Sequence, residues 1–173
     1  GNPSGKLCDT FAKTLEDYPS TYNFHESRDY VDYTDDIYVG YRYFETIPGA
    51  AEKVNYPFGY GLSYTTFAID VIDAVCENGK FTMKASVTNT GNYKGKEVVQ
   101  LYISKPQGKL GNPAKELAAF VKTRELQVGE TQLIELHCEL SALAAYDDLG
   151  KVQKSAYVLE KGDYRFYVGS SVR

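Results

Sequence analysis

The chain has 173 residues, a net charge of −4 with a pI near 5.2, and 16 tyrosines but no tryptophan. This length is sufficient for one domain of ordinary size with an appendage, and it excludes a barrel enzyme with additional modules. The acidic balance argues against a nucleic-acid partner, which needs clustered Lys and Arg, and no apolar run approaches the roughly 20 residues that cross a bilayer.

The first third of the chain predicts little regular structure. Residues 1–36 lack a sustained hydrophobic period, and ten of the 16 tyrosines lie within the first 64 residues. A long loop is uncommon unless it wraps another surface or serves a function, and tyrosine can bury its ring while its hydroxyl stays satisfied. We therefore predict an irregular extension that packs on another surface or on itself. It either folds onto the following domain through its tyrosines or stays partly disordered.

One group of polar residues in this extension has the composition of a metal or acid–base cluster. His25 is followed closely by Glu26 and Asp29. No second His lies within the spacing that metal ligands need, so we interpret the group as solvated surface.

The stretch Ile37–Phe44 is rich in β-branched and aromatic residues, which favours a short strand or turn. Asp35 and Asp36 before it are typical of a helix N-cap or a strand entry. Within it, Arg42 lies between two tyrosines, which suggests sugar stacking or a cation–π contact. We prefer a structural role for Arg42, in an ion pair with Asp36 or Glu45.

Turn-forming residues are interleaved with aromatics in the stretch Tyr56–Phe67. Pro57 restricts its own φ, and Gly59 and Gly61 permit positive φ. The pattern indicates a rigid, tightly folded connector, with an ordinary aromatic loop as the alternative.

Regular strand patterns follow the connector. Phe81, Met83, Ala85 and Val87 alternate with polar residues, as in a half-buried strand. The predicted strands are Phe67–Val75, Phe81–Thr88, Glu97–Ser104, Glu116–Leu126, Thr131–Leu140, Ala156–Leu159 and Tyr164–Gly169. Short strands with frequent turns predict a mainly β fold, an immunoglobulin or fibronectin III-like sandwich with an irregular N-terminal extension.

Three local features are predicted in residues 137–164. We expect one helical turn in Ser141–Asp148, capped by Ser141. Tyr164 follows Gly-Asp before the last strand, which is typical of a tyrosine corner. His137 falls on the solvated face of its strand and has no partner in sequence.

The three cysteines are widely spaced and odd in number. No pair has the spacing of a zinc site or a thioredoxin-like motif. A disulfide between Cys76 and Cys138 across the sandwich is the alternative to buried free thiols, which we take as the default for Cys8 as well.

Several blocks of the chain resemble glycoside hydrolase family 3, the β-glucosidase and β-xylosidase family, and they occur in the family's order. The connector resembles its "PFG-x-GLSYT-x-F" segment. The other blocks are Asn2-Pro-Ser-Gly-Lys-Leu7, Ile37-Tyr-Val-Gly-Tyr-Arg-Tyr-Phe44, Val87-Thr-Asn-Thr-Gly91, Glu97-Val-Val-Gln-Leu-Tyr102, Gly162-Asp-Tyr164 and Val168-Gly169.

The resemblance implies that residues 1–63 are the end of the family's α/β sandwich domain with the connector, and that 64–173 are its fibronectin III-like domain. Since the chain begins inside a family motif, we expect its native N-terminus to be missing. The partners implied are the α/β sandwich and barrel domains of the same enzyme, which would cleave terminal β-glucosides with retention. A bacterial cytoplasmic location is slightly favoured over secretion.

A glycosidase needs two carboxyl groups at a set separation. In this family the nucleophilic Asp lies in the barrel domain and the acid/base Glu precedes the "NPSGKL" segment in many members, and the chain contains neither motif. Most of its 23 acids lie in turns or on outward strand positions, where we expect solvation; examples are Asp73, Glu77, Glu135, Asp147 and Asp148.

We therefore assign no catalytic, substrate-binding or metal residue and no cofactor, and expect the chain alone to be inactive. Arg42 and the aromatic connector are candidates for a contact with the substrate of the parent enzyme. Two other classes stay open, an independent carbohydrate-binding or adhesion module and an assembly domain that contributes a dimer interface. Scattered tyrosines on the strands (Tyr93, Tyr102 and Tyr167) do not favour the first.

Overall fold

The computed structural model describes all 173 residues, Gly1–Arg173. The strands are β1 Phe11–Ala12, β2 Val54–Tyr56, β3 Phe67–Glu77, β4 Lys80–Asn89, β5 Val98–Ser104, β6 Glu116–Lys122, β7 Thr131–Glu139, β8 Ala145–Asp147, β9 Ala156–Val158 and β10 Arg165–Gly169. One α-helix, α1, spans Tyr41–Thr46, and 3-10 turns span Leu15–Asp17, Pro19–Tyr22, Ala50–Lys53 and Leu140–Leu143.

Two antiparallel three-stranded sheets form the sandwich that the alternation of apolar residues predicts. Their strand orders are β3-β4-β7 and β10-β5-β6. Both sheets contribute to one apolar core, in which the rings of Phe81 and Phe166 stack with centroids 3.6 Å apart. The fold prediction is confirmed, and β4, β5 and β7 supply most of the buried apolar residues of this core.

Strand β5 is buried on both faces. Val99, Leu101 and Ile103 point into the core. Gln100 and Tyr102, on the outward side, are only 3% and 1% exposed. An outward face of a sandwich is normally solvated, so this burial shows that the N-terminal extension packs on the β10-β5-β6 sheet.

The turn chemistry of the sandwich follows the sequence closely. Asn78 and Gly79 both have positive φ, and they join β3 to β4 in a two-residue hairpin loop. The hydroxyl of Tyr164 donates a hydrogen bond to the carbonyl of Glu160 at 2.9 Å, so the tyrosine corner is confirmed. His137 is exposed, as its strand position predicts.

The predicted strand or turn at Ile37–Phe44 is wrong in its second half, which forms α1. Gly40, with φ of 59°, turns the chain into this helix. The helical form lets Tyr41 contact the sandwich while Phe44 packs with Ala50 and Val54 in a second small core. Burial of two aromatic rings on two surfaces thus overrides the local β preference of the sequence.

Two predicted elements in the sandwich also need correction. Instead of one helical turn capped by Ser141, residues 141–148 contain the end of a 3-10 turn and then β8, and the turn has no side-chain cap. The strand from Glu116 ends at Lys122, and Leu126 forms an isolated bridge with Gly95 instead.

The cysteines are free thiols, and the alternative of a Cys76–Cys138 disulfide is wrong. Both residues lie opposite Phe81 of β4, one on each neighbouring strand of the same sheet, so β4 separates them. Cys138 is buried, whereas Cys8 and Cys76 are exposed, contrary to the expected burial of all three. Burial, with Cys76 and Glu139 nearby, raises the pKa of the Cys138 thiol.

Candidate functional site

The extension is attached to the sandwich through aromatic contacts centred on Tyr41. The N–H of Leu117 in β6 donates a hydrogen bond to the Tyr41 hydroxyl oxygen at 2.8 Å. The Tyr41 ring lies 4.5 Å from the Phe58 ring and 6.1 Å from the Tyr102 ring, measured between centroids. Helix α1, the connector and strand β5 therefore share one aromatic cluster.

A buried polar network lies beneath this cluster. The Gln100 side-chain amide donates to the carbonyls of Gly59 at 3.3 Å and Ser170 at 2.9 Å, and the Tyr102 hydroxyl donates to its oxygen. Gly59 has φ of 79°, and a Cβ at this position would collide with the Gln100 carboxamide. Burial, with the Tyr41 hydroxyl and the Glu45 carboxylate nearby, raises the pKa of Tyr102. Both the positive φ and this close approach restrict the position to glycine.

The first residues of the chain bind the sandwich through polar contacts. The Asn2 side chain accepts from the N–H of Tyr64 at 2.9 Å and donates to the carbonyl of Lys94 at 2.9 Å. The Lys6 ammonium lies 2.7 Å from the Glu97 carboxylate. These contacts order the extension at both of its ends.

The predicted ion pair of Arg42 is wrong. Glu45 instead pairs with Arg173 at 2.7 Å, and the same guanidinium donates to the carbonyl of Ala51. Asp36 makes no ion pair, and the Arg42 side chain makes no hydrogen bond or ion pair within the chain. Arg173 therefore takes the place beside the Glu45 carboxylate that we predicted for Arg42.

An apolar cleft of about 620 Å³ is lined only by residues of the extension. On its walls Phe11, Tyr56 and Leu62 are 51%, 43% and 67% exposed. The other lining residues are Pro3, Gly5, Lys6, Leu7, Tyr60 and Gly61. We call these nine residues the apolar face. Strands β1 and β2 beside it pair only with each other.

Further aromatic side chains of the extension are exposed between residues 22 and 33: Tyr22, Phe24, Tyr30 and Tyr33. Only part of the predicted packing of the tyrosines is therefore seen within the chain. Tyr18, Tyr41 and Tyr43 pack on aromatic partners within the chain, whereas this second group is exposed.

A second, polar cavity of about 460 Å³ lies between the extension and the hairpin of β8 and β9. It is lined by Asp36, Ile37, Arg42, Lys105, Leu110, Gly111, Asn112, Pro113, Glu116, Ala145, Tyr146, Asp148, Leu149 and Lys151. Only Arg42 among these was singled out by sequence as a candidate for substrate contact. The rest are contributed by segments far apart in the chain, so no local motif marks them.

Asp147 is buried, contrary to the solvation expected of it. Its carboxylate accepts hydrogen bonds from the N–H groups of Gly150, Lys151, Val152 and Gln153 at 2.6 to 3.0 Å. Burial alone would raise the pKa of Asp147, but the four N–H donors outweigh it and hold this pKa below its ordinary value. The carboxylate fixes the loop between β8 and β9.

This loop is expected to open in acid. Because the folded pKa of Asp147 is depressed, its stabilising effect is complete above the ordinary Asp pKa of about 3.9 and is lost as the pH falls through the lower folded value. Exchange protection of the Val152 and Gln153 amides, corrected for the intrinsic rate, should fall over that range. Asp147→Ala should abolish the protection at neutral pH, whereas Asp148→Ala should leave it intact. Protection that changes neither with pH nor on replacement of Asp147 would contradict this account.

The side chains that could ligate a metal ion do not form a cluster. His25 is exposed with its ring 4.5 Å from the ring of Phe24, and Glu26 and Asp29 beside it are exposed. Nowhere do three His, Cys, Asp or Glu side chains come close enough to hold a metal ion. The chain also has no helix with the length and apolar character that would span a membrane.

Comparison with known proteins finds similar sequences over nearly the whole chain. Residues 97–172 match the fibronectin type III-like domain. Beta-glucosidase A of Butyrivibrio fibrisolvens is 60% identical over 99% of this chain and 22% of its own length. The chain is homologous to the family 3 β-glucosidases.

Solved structures show the same similarity. A β-glucosidase from Paenibacillus barengoltzii superimposes with a TM-score of 0.95 and 52% identity over 99% of this chain and 19% of its own. For β-glucosidase 3B of Thermotoga neapolitana, in complex with α-D-glucose, the TM-score is 0.88 and the identity is 40%, over 99% of this chain and 23% of its own. The chain thus spans about a fifth of the length of these relatives.

The family 3 segment Val87–Gly91 has a clear structural role. Asn89 within it is fully buried. Its side-chain oxygen accepts from the Thr65 hydroxyl at 2.7 Å and the Gly91 N–H at 3.1 Å, and its amide donates to the carbonyls of Tyr93 at 2.8 Å and Leu126 at 3.0 Å. Asn89 ties the connector to two loops of the sandwich.

Proposed function

We propose that the chain is a non-catalytic module that stabilises the catalytic domains of a family 3 β-glucosidase. The proposed parent hydrolyses terminal β-D-glucosides with retention, using carboxyl groups outside this chain. The relatives, each about five times longer and each described as a β-glucosidase, support this reading.

In this proposal the chain divides into two functional parts. Residues 1–63 are the end of the α/β sandwich domain with the connector, and 64–173 are the fibronectin type III-like domain. Strand β3 of the sandwich begins at Phe67, shortly after this boundary. The boundary at 64 assigns the whole β3-β4-β7 sheet to the second part.

The observation that carries the proposal is that the extension covers part of the sandwich and also exposes an apolar surface of its own. It covers Gln100 and Tyr102 of β5. It presents the apolar face, with Phe11 and Leu62 more than half exposed and with β1 and β2 paired only to each other. Exposed contiguous apolar surface of this kind marks an interaction site. Its partners in this account are the α/β sandwich and barrel domains of the same enzyme.

The docking face is tested by complementation. Beta-glucosidase A of Butyrivibrio fibrisolvens is expressed without the region homologous to this chain, and the chain is added as a separate polypeptide. We expect the two to elute as one complex in size-exclusion chromatography. Leu62→Asp, at a position that is 67% exposed, should abolish the complex because it places a charge in an apolar interface.

Leu133→Asp is the matched control, because Leu133 is 71% exposed but lies on the outward side of β7. It should leave the complex unchanged. Separate elution of the folded chain and the truncated enzyme, or equal loss of the complex with both variants, would contradict docking through the apolar face.

A further inference from the structure

The polar cavity has a balanced set of charges. Six ionised side chains line it, three basic and three acidic. Lys105 and Glu116 pair with each other at 2.8 Å and are largely buried, so they neutralise one another. The other four charged side chains make no ion pair or hydrogen bond within the chain: Arg42, Lys151, Asp36 and Asp148.

This balance selects against a charged ligand. A phosphate or carboxylate would meet Asp36 and Asp148 as well as the two cations, and a cation would meet Arg42 and Lys151. Guanidinium and ammonium groups only donate hydrogen bonds, and carboxylates only accept them. An uncharged molecule with many hydroxyl groups, each both donor and acceptor, satisfies such a mixture.

An aromatic surface adjoins the charged groups. Tyr146 lines the cavity, is 52% exposed, and has its ring centroid 5.1 Å from that of Tyr157 on the paired strand. An exposed tyrosine ring offers an apolar surface beside a polar hydroxyl. This combination suits the ring of a sugar, which has a C–H face and hydroxyls at its edge.

The wall of the cavity that carries Asp148, Leu149 and Lys151 is held in place before any ligand arrives. The buried carboxylate of Asp147 accepts four backbone N–H groups of this loop. A loop fixed in this way loses little conformational entropy when it binds. The cavity volume of about 460 Å³ falls within the range of small-molecule sites.

We propose that the cavity between α1 and the β8–β9 hairpin binds an uncharged oligosaccharide; that its units are glucose rests on the proposed function. Arg42 and Lys151 donate to its hydroxyls, Asp36 and Asp148 accept from them, and the Tyr146 ring covers one sugar face. None of the cavity residues belongs to the apolar face. The saccharide site therefore stands or fails independently of the docking proposal.

The test is a titration of the ¹⁵N-labelled chain with cellobiose, followed by amide chemical shifts. We expect saturable shifts at Gly111, Asn112 and Lys151, with a dissociation constant in the millimolar range. Arg42→Ala and Tyr146→Ala should each weaken binding by roughly tenfold or more. Asp148→Ala, which leaves the Asp147 hydrogen bonds intact, provides a third variant should Tyr146→Ala disturb the hairpin.

Tyr93→Ala is the control, because Tyr93 is 63% exposed but lies outside the cavity. It should bind like the unmodified chain. The proposal is overturned by the absence of shifts up to about 50 mM cellobiose, or by shifts that Arg42→Ala and Asp148→Ala leave unchanged. Tighter binding of glucuronate than of cellobiose would also overturn it, since that result identifies an anion site.

Discussion

Replacement of Tyr102 by Ala is expected to destabilise the chain by about 3–5 kcal/mol, the range for truncating a large buried aromatic residue. Tyr102 is 1% exposed, its ring packs near that of Tyr41, and its hydroxyl donates to Gln100. The substitution removes the aromatic contact and leaves a buried amide oxygen without its donor. Equilibrium denaturation gives the change in the free energy of unfolding.

Hydrogen exchange distinguishes this account from a simple core defect. Since Tyr102 joins the extension to the sandwich, Tyr102→Ala should reduce amide protection in residues 41–60 as well as in β5. Tyr167, directly opposite on β10 and 40% exposed, is the control. Its replacement by Ala should cost about 1 kcal/mol or less. Unchanged protection in residues 41–60 of the Tyr102 variant would show that the extension is held by other contacts.

Replacement of Asn89 by Ala is expected to cost about 2–4 kcal/mol, because four hydrogen bonds are lost and the buried Thr65 hydroxyl is left without a partner. The partners belong to the connector and to the loops at Tyr93 and Leu126. Asn89→Asp should be at least as costly, since a carboxylate oxygen would then face two carbonyl oxygens.

Thermal unfolding of these variants provides the measurement, with Asn92→Ala as the control. Asn92 is exposed in the same loop and makes no side-chain hydrogen bond within the chain, so its loss should change stability by about 0.5 kcal/mol or less. Equal effects at the two positions would contradict the structural role assigned to Asn89.

Much of the sandwich could be predicted because its signals are local. The alternation from Phe81 to Val87 identifies the core face, Asn78-Gly79 specifies the hairpin loop, and Tyr164 marks the corner before the last strand. In each case the residue type and the neighbouring residues determine the outcome, without knowledge of the rest of the chain.

The contacts of the extension could not be predicted in the same way. Glu45 pairs with Arg173, 128 positions away, and the outward side chains of β5 are buried only because α1 and the connector lie over them. Asp147 has the sequence of a solvated turn residue, and its burial depends on four amides of the following loop. Such pairings depend on tertiary placement, which local propensity does not determine.

The polar cavity has the same origin. Arg42, Asn112 and Tyr146 come from the extension, the loop between β5 and β6, and β8. The predictions that no residue of the chain is catalytic and that the chain divides at residue 64 remain predictions. Of the residues proposed to bind the saccharide, only Arg42 was a candidate from the sequence.

The central claim, that the chain is a non-catalytic module of a β-glucosidase, is tested most directly by hydrolysis of 4-nitrophenyl β-D-glucoside. The assay compares the chain alone, the truncated Butyrivibrio enzyme, and the two mixed. We predict no hydrolysis above buffer by the chain, and more activity or slower thermal inactivation of the truncated enzyme when the chain is added. Turnover by the chain alone would contradict the account, because carboxyl groups of this chain would then have to carry out the reaction.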